Sequence, residues 1–371
     1  MKRTDFLKTF IPAAAASFLV KNAFSVPQKN TLAYPTMPPF LKVGDKVGVT
    51  CPASPSKTLR LHFCWETMES WGLKVQFGCT VGQTWEHFAG TDEERAEDLQ
   101  QLLDDDNIKA ILFARGGYGV MRMMDKINWK KFLKKPKWLI GFSDITAFHC
   151  HLQTAFGIPT MHAVMAGGLR VSNDDASYSL KNCLFGKPQD YEINGTDWNR
   201  PGKAFAKLVG GNLSLIAAMQ GCKDALNTDG KILLIEDVSE YKYTIDRMLV
   251  NLKRSGKLDK LAGMIVGGFT DMKADKDETF QMPIEEIVFD KVKEFNYPVA
   301  FHFPIGHQNE NVAVKLGCYY QLEVSKEKTV LTDKSFERFS SKPSFQLQKP
   351  DVLKITMDTL KVPIQDTIPL K

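Results

Sequence analysis

The first part of the chain alternates short apolar runs with amphipathic stretches. Four runs are rich in apolar residues, and the third is almost wholly apolar, which is typical of a strand buried on both faces of a parallel sheet. The residues between the runs have helical spacing, and Thr91-Asp92-Glu93-Glu94 has the sequence of a capping box. This alternation predicts a doubly wound parallel α/β sheet. The predicted strands are 46–51, 73–77, 108–114 and 138–142, and the predicted helices are about 58–70 and 91–103.

The hydrophobic pattern changes after about residue 166. Ser, Asn, Asp, Gly and Pro cluster from there to residue 202, which is typical of a linker between domains. The block that follows mixes buried strands, a glycine turn and an amphipathic helix with two alternating runs that resemble a hairpin. It is therefore predicted to be mixed α/β with more antiparallel character. Its predicted elements are strand, turn and helix at 208–215, a strand at 231–237, a helix at 243–254, and hairpin strands at 312–316 and 319–324.

The first 25 residues have the composition of a targeting segment. Lys2-Arg3 gives a charged start, residues 10–20 form an apolar core of suitable length, and Ala23-Phe24-Ser25 fits a cleavage site. The apolar run is too short to span a bilayer comfortably, so we predict export to the periplasm and not a membrane anchor. The predicted division is a signal peptide at 1–25, a linker at 26–40, an N-terminal domain at 41–166, an interdomain linker at 167–202, a C-terminal domain at 203–335 and a tail at 336–371.

Charge and cysteine content argue against several classes of protein. The 371 residues carry a net charge of +5, and the lysines are scattered along the chain. The sequence has no basic stripe interleaved with aromatic residues, so nucleic-acid binding is not indicated. The seven cysteines are dispersed without a C-x-x-C pair, which fits neither a zinc site nor a disulfide framework. No H-E-x-x-H motif occurs, so a zinc peptidase is not indicated.

Ser143 lies where the predicted strand 138–142 turns into a helix. A serine in that place can be a helix N-cap, since Ser is among the best capping residues. It can also be a nucleophile on a strand–turn–helix elbow, as in the G-x-S-x-G motif. Gly141 fits that motif, whereas Ile145 replaces its second glycine. In the second interpretation the Asp144 N–H would bind a developing oxyanion.

A glycine-rich turn follows the third predicted strand. Its sequence, Arg115-Gly116-Gly117-Tyr118-Gly119, lacks the G-x-G-x-x-G spacing of a dinucleotide site. Ligands of parallel sheets bind beyond the carboxyl ends of the strands, so we expect this turn and Ser143 to share a site. An N–H of Gly116 or Gly117 is a candidate second oxyanion donor, although the turn can equally be only a tight turn. Arg115 is suited either to a substrate carboxylate or to a structural salt bridge.

A serine nucleophile needs a base, and the base needs an orienting acid. Of seven histidines, His307 lies in a Pro/Gly-punctuated loop after a predicted strand, where catalytic residues are often found. Glu236 and Asp237 end an apolar strand, and either is a candidate for the acid.

Five motifs, taken in order, resemble the LD-carboxypeptidase family of serine peptidases, which includes muramoyltetrapeptide carboxypeptidases and the microcin C immunity peptidases. The similarity covers roughly residues 40–335. The motifs are Ala114-Arg115-Gly116-Gly117-Tyr118-Gly119, Ile140-Gly141-Phe142-Ser143-Asp144-Ile145-Thr146, Gly210-Gly211-Asn212-Leu213, Leu234-Ile235-Glu236-Asp237 and Pro304-Ile305-Gly306-His307.

This resemblance implies a flavodoxin-like N-terminal domain, a smaller β-rich C-terminal domain and a site in the cleft between them. It implies Ser143 as nucleophile, His307 as base and Glu236 as acid, with the Asp144 N–H and a Gly116 or Gly117 N–H as oxyanion donors. It also implies a homodimer without metal or cofactor. The implied reaction removes the terminal D-alanine from a murein tetrapeptide at an L–D bond.

The ends of the chain depart from the family. Its cell-wall recycling enzymes are usually cytoplasmic and lack both the leader and the tail, so export suggests peptide or murein trimming in the periplasm. Two alternatives remain open. One is a peptidase for other short peptides or acyl conjugates, as in the immunity branch, and the other is a non-catalytic exported peptide-binding protein.

Overall fold

The computed structural model describes residues 37–169, 171–273 and 280–335, together with one short strand at 352–354. The predicted signal peptide, most of the 26–40 linker and almost all of the 336–371 tail lie outside the described residues. The strands are β1 Lys46–Thr50, β2 Lys74–Phe77, β3 Ile108–Phe113, β4 Trp138–Gly141, β5 Thr160–His162, β6 Asp190–Asn194, β7 Gly202–Asn212, β8 Ile232–Val238, β9 Gly263–Thr270, β10 Val299–Ala300, β11 Val314–Leu316, β12 Tyr319–Val324, β13 Lys328–Asp333 and β14 Val352–Lys354. The helices are α1 Thr58–Ser70, α2 Asp92–Asp104, α3 Val120–Met123, α4 Lys130–Lys134, α5 Thr146–His151, α6 Asp174–Leu184, α7 Leu213–Ala218, α8 Lys242–Arg254 and α9 Ile284–Val292.

The first sheet has six described strands in the order β11-β5-β4-β3-β1-β2. Five of them pair in parallel, in the order 2-1-3-4-5 that defines the flavodoxin-like fold, and this confirms the predicted fold class. The four residues of β4 are all buried, as its apolar sequence requires. The predicted capping box also forms, because the Thr91 and Glu94 side chains each accept the other residue's backbone N–H.

The second sheet has eight described strands in the order β10-β9-β8-β7-β12-β13-β6-β14. The pairs among β7, β8, β9 and β10 are parallel, whereas β7, β12, β13 and β6 pair antiparallel. This confirms the prediction of a second, mixed α/β half. Its strand β8 is buried through Asp237, so two acidic residues end the strand inside the protein.

The predicted hairpin of 312–316 with 319–324 is wrong. Strand β11 pairs antiparallel with β5 of the first sheet, whereas β12 pairs with β7 and β13 of the second. The burial patterns explain the difference. All three residues of β11 are buried, whereas β12 alternates between buried and half-buried positions, as a strand with one covered face does.

The range 167–202 connects the two sheets but contains regular structure. The Asn173 side chain accepts the Ala176 N–H and begins α6, whose Leu180 and Cys183 join the core of the first sheet. Strand β6 then enters the second sheet. The polar composition that indicated a linker therefore belongs to helix ends and turns that flank a helix and a strand.

The two sheets meet close to the helix that follows Ser143. Thr146 Oγ1 accepts the Asn212 N–H at 3.0 Å, at the end of β7.

In the described ranges, no helix has both the length and the apolarity to cross a membrane. All seven cysteines are free thiols, and five of them are buried, as small apolar side chains would be.

Candidate active site

Ser143 lies on a sharp turn between β4 and α5. Its φ of +62° is in the left-handed region, which is uncommon for a residue with a Cβ. An N-cap residue has extended backbone, and at the helical turn Ser143–Ile145 that place is taken by Phe142, with no side-chain cap. The N-cap interpretation of Ser143 is therefore wrong, and its backbone has the strain of a nucleophile elbow. Ile145, which replaces the second glycine of that motif, packs against Gly141.

The glycine turn after β3 lies directly against Ser143. A Cβ on Gly116 would be 2.9 Å from Ser143 Cβ and 3.4 Å from the Asp144 nitrogen, so only glycine permits this approach. The next residue, Gly117, faces Ser54 instead, whose Oγ would be 2.1 Å from an added Cβ. The structure thus brings Ser143, Asp144 and Gly116 into one place and sets Gly117 beside them.

Arg115 begins the same turn and is exposed. Its Nη1 donates a hydrogen bond to the Pro55 carbonyl at 3.3 Å. Within the ranges that the structure describes, Arg115 forms no ion pair, and the structural salt bridge that its sequence allowed is not found among those residues. The guanidinium lies at the carboxyl edge of the first sheet, where its role with a substrate carboxylate stays a prediction.

Glu236 and His307 form a hydrogen-bonded pair. His307 Nδ1 donates to Glu236 Oε2 at 2.7 Å, and the Glu236 side chain is fully buried. Gly306 permits this contact, because a Cβ there would lie 2.7 Å from Oε2. The His307 ring packs edge-on against Phe142, with 4.8 Å between centroids, and Phe142 directly precedes Ser143. The pair from the second half of the chain therefore packs against the residue that precedes the serine of the first half.

Opposing influences act on the pKa of His307. Burial, the largest single one, lowers it, but the hydrogen bond and charge of Glu236 and the charges of two nearby aspartates together raise the pKa above the usual 6.5. These aspartates are Asp237 and Asp271. The carboxylates thus favour the imidazolium form of His307.

Asp237, the alternative acid, faces away from His307. Its carboxylate accepts hydrogen bonds from the Asn212 side chain at 3.0 Å and from the Ser214 N–H at 2.9 Å. Successive side chains of a strand point to opposite sides, so only one of the two acids can reach the histidine. Sequence alone left that choice open, and the structure places Glu236 in contact.

Both domains of a known family match the chain. The N-terminal domain of LD-carboxypeptidases matches residues 47–163, and the C-terminal domain matches residues 206–322. The chain belongs to the LD-carboxypeptidase family. It is accordingly an enzyme of the carboxypeptidase class.

Relatives of this LD-carboxypeptidase family member are similar along most of their length. A Bacillus subtilis (strain 168) protein named "Probable murein peptide carboxypeptidase" is 34% identical over 300 residues, covering 79% of this chain and 93% of the relative. The murein tetrapeptide carboxypeptidase of Pseudomonas aeruginosa is 30% identical, covering 74% and 92%. The muramoyltetrapeptide carboxypeptidase of Oxalobacter formigenes has the same fold, with a TM-score of 0.70 at 23% identity, covering 78% of this chain and 98% of that one.

Two buried residues that the sequence did not assign to the site lie close to the Glu236–His307 pair. Asn311 Oδ1 accepts the Gly306 N–H at 2.9 Å and so anchors the loop that carries His307. His162 is fully buried with its ring 5.6 Å from that of Phe142, and burial, the largest influence, lowers its pKa well below 6.5. Neither residue has a distinctive spacing in the sequence, and only the meeting of β5 with the 304–311 loop gives them a place in the site.

The arrangement contains the groups that acyl transfer needs. A hydroxyl stands on a strained turn, an imidazole is held by a buried carboxylate, and backbone N–H groups lie beside the hydroxyl. Ser143 Oγ and His307 are not hydrogen-bonded to each other in the described residues, and such bonds are often long before substrate binds. Among those residues, no cluster of three or more His, Cys, Asp or Glu side chains is arranged to hold a metal ion.

Proposed function

We propose that this protein is a serine-type LD-carboxypeptidase that removes the terminal D-alanine from murein tetrapeptides through an acyl-enzyme. The observation that carries the proposal is the Glu236–His307 hydrogen bond of 2.7 Å, with the imidazole packed on the residue before Ser143. Two relatives at least 30% identical are named for murein peptides, which supports the substrate class.

The first half of the proposed reaction forms an ester. Ser143 Oγ attacks the scissile carbonyl while His307 Nε2 takes its proton. Glu236 keeps the other ring proton on Nδ1 and stabilises the imidazolium that forms. The Asp144 N–H and a Gly116 or Gly117 N–H bind the oxyanion. The tetrahedral intermediate then collapses, the C–N bond breaks, and D-alanine leaves with the proton from His307.

The second half releases the acyl group. A water molecule gives one proton to His307 Nε2 and attacks the ester carbonyl, and the same N–H groups bind the second oxyanion. The Ser143 oxygen then leaves and regains its proton from His307. The sum is one water consumed, one tripeptide carboxylate formed and one D-alanine released, with the enzyme restored.

The test of the function is release of D-alanine from a murein tetrapeptide by the purified protein, measured by mass spectrometry. The matched control is the same peptide with a terminal L-alanine, which should be cleaved far more slowly. Cleavage of neither peptide, with activity on other short acyl conjugates, would favour the immunity-type alternative. Binding of the tetrapeptide without any turnover would favour the non-catalytic peptide-binding protein.

Activity should fall as pH decreases through the pKa of His307. The base must be neutral to take the Ser143 proton, and its neighbours raise its pKa above the usual 6.5. We therefore expect the acid limb of kcat/KM against pH to lie above 6.5. A limb well below that value would show that the carboxylates around His307 do not control the base.

The proposed location is the periplasm. It rests on the signal-peptide pattern of residues 1–25, which lie outside the described residues. The homodimer implied by the family resemblance likewise stays a prediction.

A further inference from the structure

The glycine turn beside Ser143 is held at one peptide unit from two sides. This unit joins Gly119 to Val120, at the end of the turn and the start of α3. Its N–H donates to Asp144 Oδ2 at 2.8 Å, and its carbonyl accepts from Arg95 Nη1 at 3.0 Å. A trans peptide directs its N–H and carbonyl to opposite sides, so the Asp144 and Arg95 side chains hydrogen-bond to the unit from opposite directions.

The two side chains that bind this peptide unit are both buried. Arg95 is fully buried and Asp144 is 2% exposed, so water does not compete for these bonds. Arg95 also donates to the carbonyls of Pro52 and Gly90 and pairs with Asp92. The guanidinium is therefore fixed to two other loops, and the turn is attached to a rigid support.

The charge on Asp144 depends on these partners. Burial, the largest influence, raises the pKa of this carboxyl to about 6, against the lowering effect of the Val120 and Gly119 N–H groups and of the Arg95 charge. The ionised carboxylate and the ordered turn thus stabilise each other.

We propose that the side chain of Asp144 is a positioning residue, which with Arg95 sets the 116–119 turn so that an N–H of Gly116 or Gly117 faces the oxyanion formed at Ser143. The catalytic consequence rests on the proposed function. Asp144 directly follows Ser143, so one residue supplies a donor from its backbone and fixes the opposite donor through its side chain. Oxyanion stabilisation depends on donors that are already in place when charge develops, which such a connection provides.

The first test needs no substrate. Hydrogen–deuterium exchange is measured on peptides covering 114–122 in the whole protein, its Asp144→Ala form and its Asp144→Asn form. We expect faster exchange in the turn for Asp144→Ala and a smaller increase for Asp144→Asn, which keeps an acceptor oxygen but loses the charge. The matched control is Glu93→Gln, which removes a carboxylate from the same helix as Arg95 but one that pairs with Lys126, outside the measured peptides, and it should leave exchange in the turn unchanged. Unchanged exchange in Asp144→Ala would overturn the proposal.

The second test measures turnover of the tetrapeptide. Loss of one oxyanion donor costs about 10²–10³-fold in kcat, and we expect Asp144→Ala to approach that loss while KM changes by less than about threefold. Asp144→Asn should recover part of kcat. An unchanged kcat in folded Asp144→Ala protein, or a loss confined to KM, would overturn the proposal. If the unmodified protein releases no D-alanine, the proposed function fails, and the exchange experiment still decides whether Asp144 positions the turn.

Discussion

Replacing Ser143 with alanine should lower turnover of a murein tetrapeptide by on the order of 10⁶-fold, the loss seen when the nucleophile of a serine peptidase is removed. Alanine has the same Cβ as serine and meets the same left-handed backbone strain, so the fold should be unaffected. The substitution removes only the hydroxyl oxygen, which forms the ester in the proposed reaction. The measurement is D-alanine release under single-turnover conditions, with the unfolding midpoint of both proteins recorded alongside.

Substrate binding is the control for this variant. Ser143→Ala should still bind the tetrapeptide in calorimetry, because the turn, the N–H groups and the Glu236–His307 pair remain. Equal release of D-alanine by the two proteins would remove Ser143 from the mechanism. Loss of both release and binding would indicate that the change disturbed the site and not the chemistry alone.

Under the proposed mechanism, replacing Glu236 with glutamine should lower turnover by about 10⁴-fold, as the equivalent Asp→Asn change does in a Ser-His-Asp triad. The glutamine amide can donate a hydrogen bond to Nδ1, which places the ring proton on Nε2 and blocks that nitrogen as a base. The negative charge that stabilises the imidazolium is also lost. Because that charge helps to raise the pKa of His307, the acid limb of the remaining activity should move to lower pH.

Asp237→Asn is the matched control, since it removes one negative charge from the adjacent residue. The Asp237 carboxylate accepts hydrogen bonds from Asn212 and Ser214 and does not contact the His307 imidazole. We expect turnover to fall less than about tenfold, with a loss of roughly 1 kcal/mol in the free energy of unfolding. Equal losses of turnover in the two variants would mean that bulk charge near His307 matters and not the specific hydrogen bond.

The strand ends of the first sheet were the most predictable part of the site. The apolar run before Ser143 and the run before the glycine turn end at the same edge in any parallel sheet, so their proximity followed from the hydrophobic pattern alone. Three features of the site did not follow from that pattern. They are the φ of Ser143, the choice between Glu236 and Asp237, and the hydrogen bond from the Val120 N–H to Asp144. Each depends on a dihedral angle or a side-chain direction that no spacing encodes.

The errors in the fold have a related cause. Strand β11 reads as half of a hairpin because its neighbour in sequence, β12, has strand character too. Which sheet a strand joins is decided by long-range packing, here by burial of all three β11 residues next to β5. Helix α6 was missed because its polar first turn and the surrounding turns dominate the local composition.

The pairing of β11 with β5 also has a consequence for biosynthesis. The flavodoxin-like sheet is encoded almost entirely before residue 163, yet one of its edges is completed only by Val314–Leu316. Until the ribosome has released residue 316, β5 presents unpaired N–H and carbonyl groups, which are a template for association with other chains. A fragment that ends after the first half would keep that open edge permanently. The nascent chain therefore cannot complete the first sheet before most strands of the second sheet have been synthesised.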